Sequence, residues 1–184
     1  MTQGTCDPEY LGWPGRVSRA ARAAGYDLTM YNMGIRADTS RDMLQRWEAE
    51  VSARFNAGDA HYVVFCMGAN DTTLEDGRLR VEPAESIANF EKMLATSRQK
   101  YLTLALGPVP VGEADQDDRI DQLCDLLAAK AAEINVPYLP VSRMLRTSQV
   151  WLDSVAEQDQ CHPGSAGYTL LAEMVRAWDK WWFR

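Results

Sequence analysis

Asp159-Gln160-Cys161-His162-Pro163 sets a carboxylate three residues before one of only two histidines, with a proline directly after it. That spacing can build half of a hydrolytic triad. The carboxylate folds back across a tight turn and accepts the Nδ1 proton of the imidazole. Nε2 is then free to act as a general base, the division of labour in Ser-His-Asp enzymes. Pro163 biases His162 away from helical backbone angles and suits the first turn of a following helix. The pair is therefore expected on a loop at a helix start, where a side chain reaches a cleft. The same five residues also fit a plain helix start with a solvated His162, and this segment alone does not choose.

Two further segments carry candidate chemistry. Asn32 to Ser40 and Gly68-Ala69-Asn70-Asp71 each follow an apolar, strand-like run. A loop followed by a helix N-terminus offers free backbone N–H groups, which suit an anion or a developing oxyanion. The Asn70 side chain can add a donor. Asn70 also fits an Asx-turn at the strand exit, and N-capping accounts for Thr39 and Ser40 in full.

Strand-like runs alternate with longer helical patterns and would position these segments. Helices are expected from Trp13 to Ala24, from Thr39 or Ser40 to about Phe55, from Pro83 to Arg98, from Asp117 to Ile134, and from Gly164 to about Trp182. Strands are expected at Leu28–Asn32, Tyr62–Met67, Leu102–Leu106 and Val136–Leu139. The second of these is apolar throughout, as for a strand buried on both faces. The alternation implies an α/β fold with a parallel sheet. The ligand crevice of such a sheet lies beyond the C-terminal strand ends, where all three candidate segments fall.

With 184 residues, and no repeat, linker or low-complexity stretch, residues 1–184 are expected to form one domain. The net charge of -7 argues against nucleic-acid binding, which needs a basic surface. No stretch approaches membrane-spanning length, and the first residues lack the pattern of a signal peptide. Cys6, Cys66, Cys124 and Cys161 are scattered, without metal-site spacing, and read as reduced thiols of a cytoplasmic protein. No cofactor or metal is expected, and nothing sets the oligomeric state.

Taken together, Asn32 to Ser40, Gly68 to Asp71 and Asp159 to Pro163 resemble, in order and spacing, the second, third and fifth sequence blocks of the SGNH hydrolases, also called the GDSL esterase/lipase family. The resemblance covers nearly the whole chain. It implies a flavodoxin-like three-layer α/β/α sandwich around a five-stranded parallel sheet. It also implies cleavage of esters or thioesters through an acyl-enzyme. His162 would be general base and then general acid, with Asp159 orienting it. Asn70 would donate its amide to the oxyanion. The family's second donor is the N–H of a glycine before Asp-Thr. Here that position is Ala37, whose methyl group would narrow the pocket.

The larger departure is at the front. The family's first block is a buried strand ending in Gly-Asp-Ser, then an apolar residue, Thr, any residue and Gly. This sequence opens Met1-Thr2-Gln3-Gly4, so Met1 falls on the residue directly after the nucleophilic serine. Neither that strand nor the serine is among these residues. A misplaced gene start is the favoured explanation, with a pseudo-enzyme or a trimmed chain as alternatives. In the family's order the missing strand lies between the second and third, so its neighbours would begin at about Leu28 and Tyr62. Cys6, Ser40 and Ser165 are the residues to weigh as replacements. Ser40 is expected as a cap and Ser165 inside a first helical turn. Cys6 lies in the loop bordering the cleft and would need a lowered pKa. The expected function is a serine esterase acting on a small ester, thioester or acetylated sugar. The alternative is a catalytically dead relative that binds a small molecule or a protein, supported by Trp178, Trp181, Trp182 and Phe183 as an exposed aromatic patch, although core packing of the last helix is the expected use of Trp178 and Trp181.

Overall fold

The structure is a computed structural model that describes residues 1–184. In chain order it contains α1 (Gly12–Ala23), α2 (Ser40–Ser52), β1 (Tyr62–Cys66), β2 (Leu74–Glu75), β3 (Arg78–Leu79), α3 (Pro83–Ser97), β4 (Leu102–Leu106), α4 (Ala114–Glu133), β5 (Tyr138–Leu139), α5 (Ser142–Arg146), α6 (Gln149–Ala156) and α7 (Ser165–Ala177). These elements fall into two compact units. One comprises Met1–Arg36, Val109–Asp117 and Arg143–Arg184, the other Ala37–Pro108 and Asp118–Ser142. No helix is long and apolar enough to cross a membrane.

The second unit holds the parallel sheet, in the order β1-β4-β5. Tyr62 lies opposite Leu102 and Cys66 opposite Leu106. Residues Thr103 to Leu106 of the central strand β4 are buried on both faces. In β1 only Val63 and Phe65 are fully buried, and Tyr62, Val64 and Cys66 are half-buried. Burial on both faces was expected of this run, but it has a strand neighbour on one side only. β5 is shorter than its expected span because its ladder starts at the Pro137 carbonyl, which accepts from the Ala105 N–H, and proline has no N–H of its own. Phe65, Met93, Leu94, Leu127 and Ala131 form one apolar core of strand and helix side chains, with Trp47 set edge-on to Phe65. A short antiparallel pair, β2 with β3, was not anticipated from the sequence.

In the first unit α7 packs against α1 and α6. The expected strand at Leu28–Asn32 does not form, so the sheet has three strands and not the four anticipated. Strand geometry persists only where a ladder takes up its N–H and C=O groups. No strand lies beside this segment to take them up. Tyr31 is exposed, and the segment is instead tied down by the Asn32 side chain, which donates to the Thr2 carbonyl at 2.7 Å. The last helix stops at Ala177 rather than near Trp182, because Trp178 takes extended angles. That turn buries Trp181 against Trp182 and Phe183, with Phe183 edge-on to Tyr26. The C-terminal aromatics therefore pack on this unit and do not form an exposed patch.

A buried ion pair organises the loop before α1. Asp7 accepts from the backbone N–H groups of Glu9, Leu11 and Gly12 and from the Arg16 guanidinium. Arg16 also reaches Glu9, Ser165 and Thr169, which joins this loop to α7. Gly4 has φ +79, and a Cβ there would meet the Gly12 nitrogen at 2.7 Å, so only glycine closes this loop. Burial pushes the Asp7 carboxyl up, but the Arg16 and backbone hydrogen bonds outweigh it and hold the carboxyl below its usual value. A depressed carboxyl contributes stability that is fully present above its unfolded value, about 3.9, and lost as pH falls through the lower folded one. Asp7→Ala leaves the Arg16 charge buried without its main partner. It should cost about 3–5 kcal/mol in a denaturant melt near neutral pH.

Candidate active site

Asp159 and His162 sit in the turn between α6 and α7. The Asp159 Oδ1 accepts from the backbone N–H groups of Cys161 at 3.1 Å and His162 at 2.7 Å. This is the local turn that aspartate favours. Oδ2 bonds His162 Nδ1 at 2.8 Å. Nε2 has no protein partner, and the imidazole keeps 16% of its surface open. Ser154 of α6 fixes the far side of the turn, its hydroxyl accepting from the Gly164 and Gly167 N–H groups at 3.0 Å each. A Cβ at Gly167 would stand 2.5 Å from the Pro163 Cβ, so glycine there lets α7 start directly under the His-Pro turn.

Burial pushes the Asp159 carboxyl up, but the His162 backbone and ring hydrogen bonds, the His162 charge and the Cys161 N–H together hold it well below the usual carboxylate range. Asp159 is thus ionised at every pH where the protein would work. The acid limb of any rate profile should therefore report a group other than Asp159.

The other histidine is excluded. His61 stacks on Phe55 with ring centroids 4.1 Å apart and lies edge-on to Tyr101, its Nε2 buried without a partner. It packs within the second unit and offers no free base.

Ala37 and Asn70 both lie in that second unit. The Asn70 amide donates to the Asp38 carbonyl at 2.7 Å, on the residue after Ala37. One N–H of the amide is used in this way and a second remains for a ligand. Asp71 clamps the same corner. Its buried carboxylate accepts from the Ser40 N–H and from the Ser86 hydroxyl, both at 2.7 Å. Ser40 in turn accepts from Asn89 at 3.0 Å, so Ser40 and Asp71 are joints of the scaffold and not nucleophiles. The capping box of α2 is formed by Thr39 and Asp42. The clamp role of Asp71 was not visible in the sequence, where Asn-Asp reads only as a turn.

Ala37 has φ +66. A left-handed residue with a Cβ is strained by about 1–2 kcal/mol, while glycine costs about 0.5–1 kcal/mol in chain entropy. Ala37→Gly is therefore expected to raise stability by up to about 1 kcal/mol, read from the midpoint of a urea melt.

Cys6 lies beside Asp159. Its Sγ, an Asp159 oxygen and a His162 ring nitrogen lie within 4.8 Å of one another. Burial, then the Asp159 hydrogen bond and charge, push its thiol up, away from the thiolate. Ser165 opens α7 as expected, its hydroxyl held by Arg16 and Glu9.

Residues 1–170 match the model of the GDSL-like lipase/acylhydrolase family. The chain belongs to that family. It is an ester hydrolase by family. Solved structures share the fold of this GDSL-like chain. An acetylxylan esterase from Geobacillus stearothermophilus matches with a TM-score of 0.72 at 21% identity, over 89% of this chain and 78% of its own. An alpha/beta hydrolase enzyme from the metagenome of Lake Arreo, Spain, gives 0.72 at 22%, over 89% and 78%. The lipase/acylhydrolase from Enterococcus faecalis gives 0.68 at 23%, over 89% and 82%. The curated proteins give no match.

Proposed function

We propose that this GDSL-like protein is a serine esterase that cleaves small carboxylic esters or thioesters, acetylated saccharides among them, through an acyl-enzyme. The observation that carries this reading is the Asp159–His162 pair, bonded at 2.8 Å with Nε2 left open. The acetylxylan esterase among the fold neighbours supports the acetylated saccharide as a substrate class. The nucleophile is the serine of a Gly-Asp-Ser block that these 184 residues do not include. Four free cysteines favour a reducing, cytoplasmic setting.

Nε2 of His162 takes the serine proton as Oγ attacks the carbonyl carbon. Asp159 holds the ring with the Nδ1 proton toward itself and stabilises the imidazolium. The carbonyl oxygen becomes an oxyanion, to which the Asn70 amide and the Ala37 N–H donate. The imidazolium then gives its proton to the leaving alkoxide or thiolate. Water repeats the sequence on the acyl-enzyme and frees the acid. Residues 1–184 work in this scheme as one hydrolase domain.

The test is hydrolysis of a short-chain p-nitrophenyl ester by two forms, the 184-residue chain and one extended upstream of Met1 by a strand ending in Gly-Asp-Ser. The extended form should turn the ester over, and the 184-residue form should be slower by about 10⁶-fold, the cost of losing a nucleophilic serine. The added strand should also raise the midpoint of a thermal melt by giving β1 a second neighbour. Full activity in the 184-residue form, abolished by Cys6→Ala, would overturn the missing-serine account. Saturable ester binding without turnover in both forms would establish the non-catalytic alternative.

A further inference from the structure

Within one unit, Cys6, Asp159 and His162 bring a thiol, a carboxylate and an imidazole so close that one ligand atom from each lies within 4.8 Å of the others. These three are donor types that zinc-class cations take together. We propose that Cys6, Asp159 and His162 form a zinc-class cation site, and that a cation held there switches off the general base. The second half of this inference rests on the esterase reading above, whereas the binding site does not.

The three ligands are held in place before any cation arrives. Thr5, on one side of Cys6, has its carbonyl fixed by the Tyr168 hydroxyl at 2.8 Å. Asp7, on the other side, is locked by Arg16 and by the N–H groups of Glu9, Leu11 and Gly12. Cys6 itself is held at φ +64, a conformation that costs a residue with a Cβ strain and persists only where its surroundings impose it. Asp159 and His162 are fixed by the turn described above. Tetrahedral bonds of about 2.0–2.3 Å to zinc would set the ligand atoms about 3.3–3.6 Å apart. The 2.8 Å Asp159–His162 contact needs to open by only about half an ångström to reach that spacing. Three protein ligands leave a fourth position for water.

Proton accounting fixes the consequence. Without a cation His162 Nδ1 bonds Asp159 Oδ2 at 2.8 Å, the contact that leaves Nε2 as the base. A cation inserted among the three takes Cys6 as thiolate and releases one proton to solvent. It binds Nδ1, so the imidazole proton moves to Nε2. A ring protonated at Nε2 cannot accept the proton of a serine, which is the wrong-tautomer defect of a triad. The site therefore acts as a reversible block on hydrolysis, and its ligands are invisible to sequence spacing because Cys6 lies far from the other two in the chain.

The experiment is a titration of the untagged, reduced 184-residue chain with Co²⁺, followed in the near ultraviolet for a thiolate-to-cobalt charge-transfer band. The expected result is one Co²⁺ per chain, displaced by one Zn²⁺. Cys6→Ala should abolish the band, and His162→Ala should weaken binding at least tenfold. Cys161→Ala should leave it in place, although that thiol is the next residue to His162. Zn²⁺ should also protect Cys6, but not Cys161, from alkylation by N-ethylmaleimide, a readout that does not depend on any variant folding. In the extended form, Zn²⁺ should inhibit ester hydrolysis, a chelator should reverse it, and the half-inhibiting concentration should rise at least tenfold in Cys6→Ala. No band in the intact chain, or a band that survives Cys6→Ala, overturns the site. A normal band with no inhibition overturns the switch alone. A normal band in a form without any hydrolysis leaves the site standing and removes the esterase reading.

Discussion

His162→Ala, made in a form that carries Gly-Asp-Ser, is expected to lower kcat for a short-chain ester by about 10⁶-fold. The magnitude follows from the loss of the group that both takes the serine proton and returns it to the leaving group. Nothing nearby replaces it. His61 is locked in its stack with Phe55, and Asp159 is too acidic to serve as a base. Asp159→Asn should cost about 10⁴-fold, because the amide would donate to Nδ1 and hold the proton on Nε2. The turn should survive that change. The Asn oxygen can still accept from the Cys161 and His162 N–H groups, the two backbone bonds that fix the loop. An unchanged melt with a collapsed kcat is thus the expected pair of readings for Asp159→Asn. A rise in KM alone in either variant would move these residues from the chemistry to substrate binding.

Asn70→Ala should lower kcat by about 10²- to 10³-fold with little change in KM. The amide would bind the oxyanion, which exists only at the transition state, so its loss should leave ground-state binding intact. Asn70 also has a structural bond, to the Asp38 carbonyl. Magnitudes separate the two roles. Losing one such hydrogen bond costs stability by about 1 kcal/mol, whereas losing an oxyanion donor raises the barrier by about 2.7–4 kcal/mol. A kcat loss far larger than the change in the melt supports the oxyanion role. Equal losses would leave Asn70 as a loop brace.

The Asp159-to-Pro163 turn was legible in the sequence because all its parts are local. Asp159, His162 and Pro163 lie within five residues, and the bonds that shape the turn run between near neighbours. The long helices were legible for the same reason, from their apolar periodicity and from caps such as Thr39. What was missed depends on partners distant in the chain. Leu28–Asn32 has the composition of a strand, but composition does not supply the neighbour that a strand needs. The last helix has the pattern to continue past Ala177, yet burial of Trp181 turns the chain away. Cys6 sits beside Asp159 across more than 150 residues, so no spacing rule could pair them. The clamp by Asp71 on the start of α2 is equally non-local.

Asp159, His162, Asn70 and Ala37 are expected to act on one ester carbonyl. The most direct measurement is a crystal structure of the Gly-Asp-Ser-bearing form with its serine phosphonylated by an ester-mimicking phosphonate. The phosphoryl oxygen is expected at about 2.7–3.1 Å from both the Asn70 amide nitrogen and the Ala37 backbone nitrogen, with His162 Nε2 within hydrogen-bond reach of the serine Oγ. A structure with the Asn70 amide on the opposite side of the protein from His162 would contradict it.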